Sequence, residues 1–230
     1  MVTVAPTVSP DPSPQVERKR SRTREAVLPI APVEGVPLRR FTLDEYHSLI
    51  EAGFFDEDER VELLEGVLVS MSPIYPPHAN AVDLLLLVFS SLLTRGGIRL
   101  RVQAPISIVD SESEPEPDLI LLKDMGAAFA ERHPSPSEIF LLVEVAESSL
   151  SMDRSKKGAL YAQAGIPEYW IWNLVDDVLE VYRDPRSSSS GEALYQTKLT
   201  LSQGMTVAPL AFPDFHVAVD ELLSPAAGEA

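Results

Sequence analysis

Chemistry in this chain must come from carboxylates and lysine. The sequence has no cysteine, which excludes thiolate metal sites, cysteine nucleophiles and disulfides. Its four histidines, His47, His78, His133 and His216, lack the paired spacing of a zinc site. There is no glycine-rich phosphate loop and no G-x-S-x-G elbow. The residue that most needs explaining is Glu144. It sits inside Ile139–Val145 (I-F-L-L-V-E-V), which reads as a continuous buried strand. A charge there is costly unless it is paired, bound to a metal or at the strand's edge. The plain alternative is a glutamate that faces solvent or a lysine.

Asp118 weighs against that alternative. It follows Glu114-Pro115-Glu116-Pro117 and directly precedes the apolar run Leu119–Leu122. An aspartate at the mouth of one buried strand and a glutamate in another can share one cation. Mg²⁺ favours such a site, with one or two carboxylates and the rest water and phosphate oxygen. Next comes Asp153-Arg154-Ser155-Lys156-Lys157-Gly158-Ala159-Leu160-Tyr161. On a helix Asp153, Lys157 and Tyr161 are spaced i, i+4, i+8 and share a face. The helix follows the Glu144 strand after a short loop, so Lys157 can point back to that strand's end. Lys156 faces about 100° away and ranks second. Glu62 alternates with Val61 and Leu63 and can face the core side of its strand's end, whereas Glu65 beside Gly66 reads as a turn residue.

The elements that must carry these residues follow from patterning. Thr42 with Glu45 is a capping-box pattern, giving a helix through about Ala52. Strands are expected around the Glu65-Gly66 turn, then a strongly apolar helix from His78 to about Thr94, closed by Gly96-Gly97. Ile98–Gln103, Ile106–Val109, Leu119–Leu122 and Ile139–Val145 read as strands. A helix from about Arg154 to Ala164 comes next. Glu168–Asn173 and Val178–Tyr182 read as a hairpin, with Ser187–Gly191 as a loop tip, Leu194–Leu199 as a strand and Asp220–Leu223 as a last helical turn. Trp170 and Trp172 alternate with Ile171 and are expected in the core and on a partner surface, not as base-stacking platforms. The fold class is mixed α/β around a central sheet.

The whole chain has 230 residues and a net charge of −16. Residues 1–40 hold seven basic and four acidic side chains, so the acidity lies in the remainder, with 12 basic and 31 acidic. An acidic body repels phosphate backbones unless cations intervene. Seven of the 20 prolines fall within residues 1–37, which read as a disordered proline-rich tail with a basic cluster at 17–24. The folded domain is expected over 38–230. The longest apolar run, Leu84–Phe89, is far shorter than a membrane span. No signal peptide is apparent, so the expected location is cytoplasmic, without a membrane partner.

Taken in order, E-L-L-E-G at 62–66, Pro77-His78, R-V-Q-A-P-I at 101–106, P-E-P-D-L at 115–119, L-V-E-V-A-E-S-S at 142–149 and D-R-S-K-K-G-A-L-Y-A-Q-A-G-I-P-E-Y-W at 153–170 resemble the Uma-two family. That family is a restriction-endonuclease-like branch of the PD-(D/E)XK nuclease superfamily. The resemblance covers roughly 41–223. It implies a restriction-endonuclease-like core, a central mixed β-sheet flanked by helices. It also implies an Mg²⁺- or Mn²⁺-dependent endonuclease acting on DNA, and a homodimer. The superfamily's D/E-x-K would place lysine at 146, where this chain has Ala146. The resemblance moves that lysine to Lys157 on the following helix. By the same resemblance Asp118 and Glu144 hold the metal, with the Val145 carbonyl as a further ligand and Glu62 binding directly or through water. Gln103 orients the lysine or the water. DNA would have to meet Arg99, Arg101, Arg154, Lys156 or the basic tail.

Two other readings compete. One is a catalytically silent interaction module on a nuclease fold, favoured by the acidity, the tail and Ala146. The other is a metal-free carboxylate hydrolase, such as a glycosidase using Glu62 and Glu144. The lysine–aspartate arrangement and the lack of aromatic-lined sugar loops count against it.

Overall fold

The element order is set by where apolar runs can pair and bury. The computed structural model describes residues 38–56, 58–187 and 193–223. The expected tail over 1–37, and all of the expected loop tip beyond Ser187, lie outside the described residues.

Helix α1 (Leu43–Glu51) starts at the Thr42 capping box, with the Glu45 amide donating to Thr42 Oγ1 at 3.2 Å and the Thr42 amide to Glu45 Oε2 at 3.1 Å. Strands β1 (Val61–Leu64) and β2 (Val67–Ser70) form an antiparallel hairpin. Its turn places Glu65 and Gly66 at φ 48° and 74°, the left-handed pair that a two-residue hairpin needs. A Cβ on Gly66 would meet Phe41 O at 2.8 Å, so the close approach also requires glycine.

Helix α2 (Pro76–Ser90) continues as a 3₁₀ stretch to Arg95. By length and composition Pro76–Arg95 is apolar enough to cross a membrane, but Ala81, Val82, Leu85, Phe89 and Leu92 are buried against the sheet. Strands β3 (Ile98–Val102), β4 (Leu119–Lys123), β5 (Ile139–Ala146), β6 (Glu168–Asn173), β7 (Val178–Ser187) and β8 (Ala193–Leu201) form one six-stranded sheet in sequence order. Only β5 and β6 run parallel, so the sheet is mixed. A parallel step needs a crossover. Here α3 (Leu150–Met152), a π-helical turn (Asp153–Lys157) and α4 (Gly158–Gln163) supply it. A short pair, β9 (Thr206–Val207) with β10 (Val217–Ala218), and a 3₁₀ turn at Val219–Glu221 complete the described elements.

Alternation along the strands divides the interior in two. Leu119, Leu121, Val143, Val145, Trp170, Trp172, Leu179 and Val181 pack under α2. Ile120, Leu122, Leu142, Ala146, Tyr169 and Ile171 pack under the crossover with Leu160 and Tyr161. Glu144 shares the second face with Leu142 and Ala146.

Ile106–Val109 is not the strand its alternation predicts. Ile106 and Ile108 are buried, but the amides of Ile106, Ser107 and Ile108 donate to Pro115, Pro134 and Ser113 respectively. Three separate acceptors make a loop that buries alternate side chains, and Val109–Ser111 is a 3₁₀ turn. The crossover helix begins earlier than expected, at Leu150, and contains the π turn that sequence did not show.

Candidate active site

The site forms where the start of β4 meets the end of β5, with β1, α2 and the crossover closing around it. Asp118 stands just before β4. Its Oδ2 accepts the Val145 amide at 2.8 Å. Its Oδ1 accepts Gln103 Nε2 at 3.3 Å and faces His78 Nε2 at 2.9 Å. Both oxygens are therefore held, one by the neighbouring strand's backbone. His78 sits in the first turn of α2, and its bond to Asp118 raises the imidazole's pKa against the lowering effect of burial.

Glu144 is 4% exposed. Its Oε1 accepts Lys157 Nζ at 3.1 Å and the Tyr161 hydroxyl at 2.8 Å. Burial pushes its carboxyl well above the usual range. Lys157 pulls it back, while Asp153, Asp118 and Glu62 add to the rise. Lys157 also lies 3.1 Å from Glu62 Oε2. Burial alone would lower the pKa of this lysine, but Glu144, Glu62 and Asp153 outweigh it and hold the ammonium charged. Tyr161 is buried and its phenol is pushed far up, so it stays a donor. Glu62 Oε2 accepts the Glu116 amide at 3.2 Å.

The π turn explains how these side chains reach inward together. The Gly158 amide donates to Asp153 O, five residues back, an insertion common at functional sites. Asp153 and Lys157 are both buried in this turn. Asp153 Oδ2 has no hydrogen-bond partner among the described residues, and burial pushes its carboxyl up to about 6. Lys156 instead points outward and pairs with Glu65.

A cavity of about 580 Å³ opens over Glu62, Asp118, Glu144, Asp153 and Lys157, with an apolar wall from β2, the proline loop and Met152. Among the described residues no three His, Asp or Glu side chains could together hold a metal. A hard cation here would rest on two carboxylates, with water and phosphate oxygen completing its shell. The donor set fits that chemistry, with an orphaned buried carboxylate oxygen and several acids around one lysine.

Several expected placements change. Gln103 contacts Asp118 and not the lysine, because its backbone turns at φ 45° and its amide bonds Asp118 O. Arg154 is taken up by Glu180 and Asp176, and Arg99 pairs with Asp124. Arg101 donates to Phe129 O and lies over the Phe129 ring. Ala146 is fully buried in the second core, where an ammonium would be stranded. Tyr161, which bonds Glu144, and Asp153, with its orphaned oxygen, both belong to the site although neither is a candidate by residue type. Their shared spacing with Lys157 was the available signal. His78 had none beyond its place after the prolines.

The Uma2 family, described as "Putative restriction endonuclease", matches residues 43–220. No curated protein matches the chain. Among solved structures the chain is similar to "a putative nuclease belonging to DUF820 from Anabaena variabilis ATCC 29413". The TM-score is 0.61 at 15% identity, over 81% of this chain and 97% of that one. At that identity the likeness concerns the fold, a mixed sheet flanked by helices.

Proposed function

The chain belongs to the Uma2 family, and from that premise we propose that it is an Mg²⁺- or Mn²⁺-dependent endonuclease that hydrolyses DNA phosphodiester bonds. One observation carries the reading: Glu62 and Glu144 share a single buried lysine, beside a buried aspartate with one orphaned oxygen, on the floor of a cavity. Asp118 and Glu144 would hold the ion, with the Val145 carbonyl as a further ligand and Glu62 acting directly or through water. Such an ion supplies Lewis acidity and a lowered pKa for bound water. Lys157 is placed to stabilise charge that develops on the attacking or phosphoryl oxygen. Tyr161 fixes Glu144, while Gln103 and His78 fix Asp118. A homodimer belongs to the same proposal and is checked by light scattering.

The test is cleavage of a supercoiled plasmid and of a single-stranded DNA circle, with Mg²⁺, Mn²⁺ or EDTA. The expected result is metal-dependent cleavage of at least one substrate, reduced about 10²–10³-fold by Lys157→Ala and abolished by Asp118→Asn. Cleavage that survives EDTA, or no cleavage of either substrate, would remove the reading.

A further inference from the structure

The cavity over the carboxylates has two unlike halves. Its floor is acidic and nearly sealed, with Glu144 and Asp118 only 4% and 7% exposed. Its lip is apolar and open: Tyr75 is 59% exposed, Val67 46%, Ile74 43% and Met152 37%. Tyr75 caps α2 three residues before His78, which touches Asp118. Its backbone is therefore held in register with the site, and its side chain lines the cavity.

The cationic groups that line this cavity are all engaged. Arg60 pairs with Glu116, Lys156 with Glu65, Lys157 with Glu62 and Glu144, and His78 with Asp118. Duplex binding draws mainly on free Lys and Arg facing phosphates, and the cleft presents no such row among the described residues. A cavity of about 580 Å³ is also in the size class of small-ligand pockets, ~300–1,000 Å³. It is a place for a nucleotide or two, not a groove for a double helix. A strand whose phosphate must reach a nearly sealed floor has to come in without its complement. Exposed apolar and aromatic side chains at the entrance are what an unstacked base needs, and such stacking tolerates any sequence.

We propose that the lip formed by Tyr75, Ile74 and Met152 holds an unpaired nucleobase, so that the protein selects single-stranded over duplex DNA. The inference rests on the nuclease reading and adds the strandedness of the substrate.

Binding of the full chain is measured by fluorescence anisotropy with a labelled oligo-dT and a hairpin duplex of equal length. The buffer holds Ca²⁺ and about 0.3 M salt, where contacts from outlying basic residues are screened. The expected result is at least ~10-fold tighter binding of the single strand. Tyr75→Ala should weaken that binding about 5- to 100-fold, with an unchanged melting temperature, and Tyr75→Phe should restore it. Equal affinity for the two probes, no binding of the single strand, or indifference to Tyr75→Ala would overturn the proposal. Plasmid cleavage that persists in Tyr75→Ala alongside equal affinities would leave the nuclease reading standing without it. Single-strand preference with no cleavage of any DNA would instead remove the nuclease reading.

Discussion

Glu144 and Glu180 stand in one row across the sheet, each opposite Ile171 in register. Both are almost fully buried, and both sit on the crossover side. Their surroundings differ in one respect, the balance of donors to acids. Glu180 receives Arg154 Nε at 3.0 and 3.1 Å, Lys198 at 2.8 Å, the Tyr182 hydroxyl at 2.6 Å and Asn173 Nδ2 at 3.3 Å. Burial would raise its carboxyl, but these donors win and hold it at about 2. Glu144 has one lysine and one phenol, and the lysine is shared with Glu62. Burial and the neighbouring acids win there. Glu168 is likewise met by several donors, with two bonds from Arg183 at 2.8 and 2.7 Å and one from Trp170 Nε1 at 2.9 Å. Burying a carboxylate does not mark a site in this fold. What sets the Glu144 region apart is that it buries more carboxylates than cations.

The largest expected effect probes the shared lysine. Lys157→Ala leaves Glu62 and Glu144 buried without a cation and should cost about 3–5 kcal/mol. Arg154→Ala should cost about 1–2 kcal/mol, because Lys198, Tyr182 and Asn173 still hold Glu180. Urea unfolding at pH 7 in EDTA compares the two. Equal losses would break the contrast between the regions.

The two glutamates should also respond oppositely. A carboxylate whose folded pKa is depressed stabilises above its unfolded pKa, and that support is lost as pH falls through the folded value. Glu180→Gln should therefore cost about 2 kcal/mol at pH 7, after discount for the half-exposed Arg154 and Lys198, and little near pH 2. Glu144 is raised, so its contribution is present at low pH and lost as pH rises. Glu144→Gln keeps the Tyr161 acceptor and leaves Lys157 paired with Glu62. It should be neutral to about 1 kcal/mol stabilising at pH 8. A large loss at pH 8 would make Glu144 a structural partner like Glu180.

Asp153 should respond to pH in the same sense as Glu144. Its carboxyl is raised from 3.8 to about 6, so stability falls as pH climbs through that window. Asp153→Asn should raise the melting temperature by about 4–8 °C at pH 8 and leave it unchanged at pH 3.5. A gain of equal size at both pH values would place the effect outside ionisation.

The sequence showed Glu144 as a charge in an apolar strand and placed Asp153, Lys157 and Tyr161 on one face. Both features are local, so they were legible. It could not separate Glu144 from Glu180, because L-V-E-V-A at 142–146 and V-L-E-V-Y at 178–182 are nearly the same pattern. What distinguishes them is Arg154 and Lys198, brought from elsewhere by the crossover and β8. The π turn is equally invisible, since it changes hydrogen-bond partners and not residue types. Ile106–Val109 misled because alternation records which side chains are buried, not which amides pair. His78 and Gln103 meet at Asp118 only through packing of α2 and β3 around the start of β4.

Mn²⁺ binding, read by isothermal titration on the wild type, Asp118→Asn and Glu180→Gln, tests most directly whether the under-neutralised cluster is a cation site. Binding is expected in the wild type and in Glu180→Gln, and its loss in Asp118→Asn. No binding in the wild type, or equal binding in all three, would contradict this expectation.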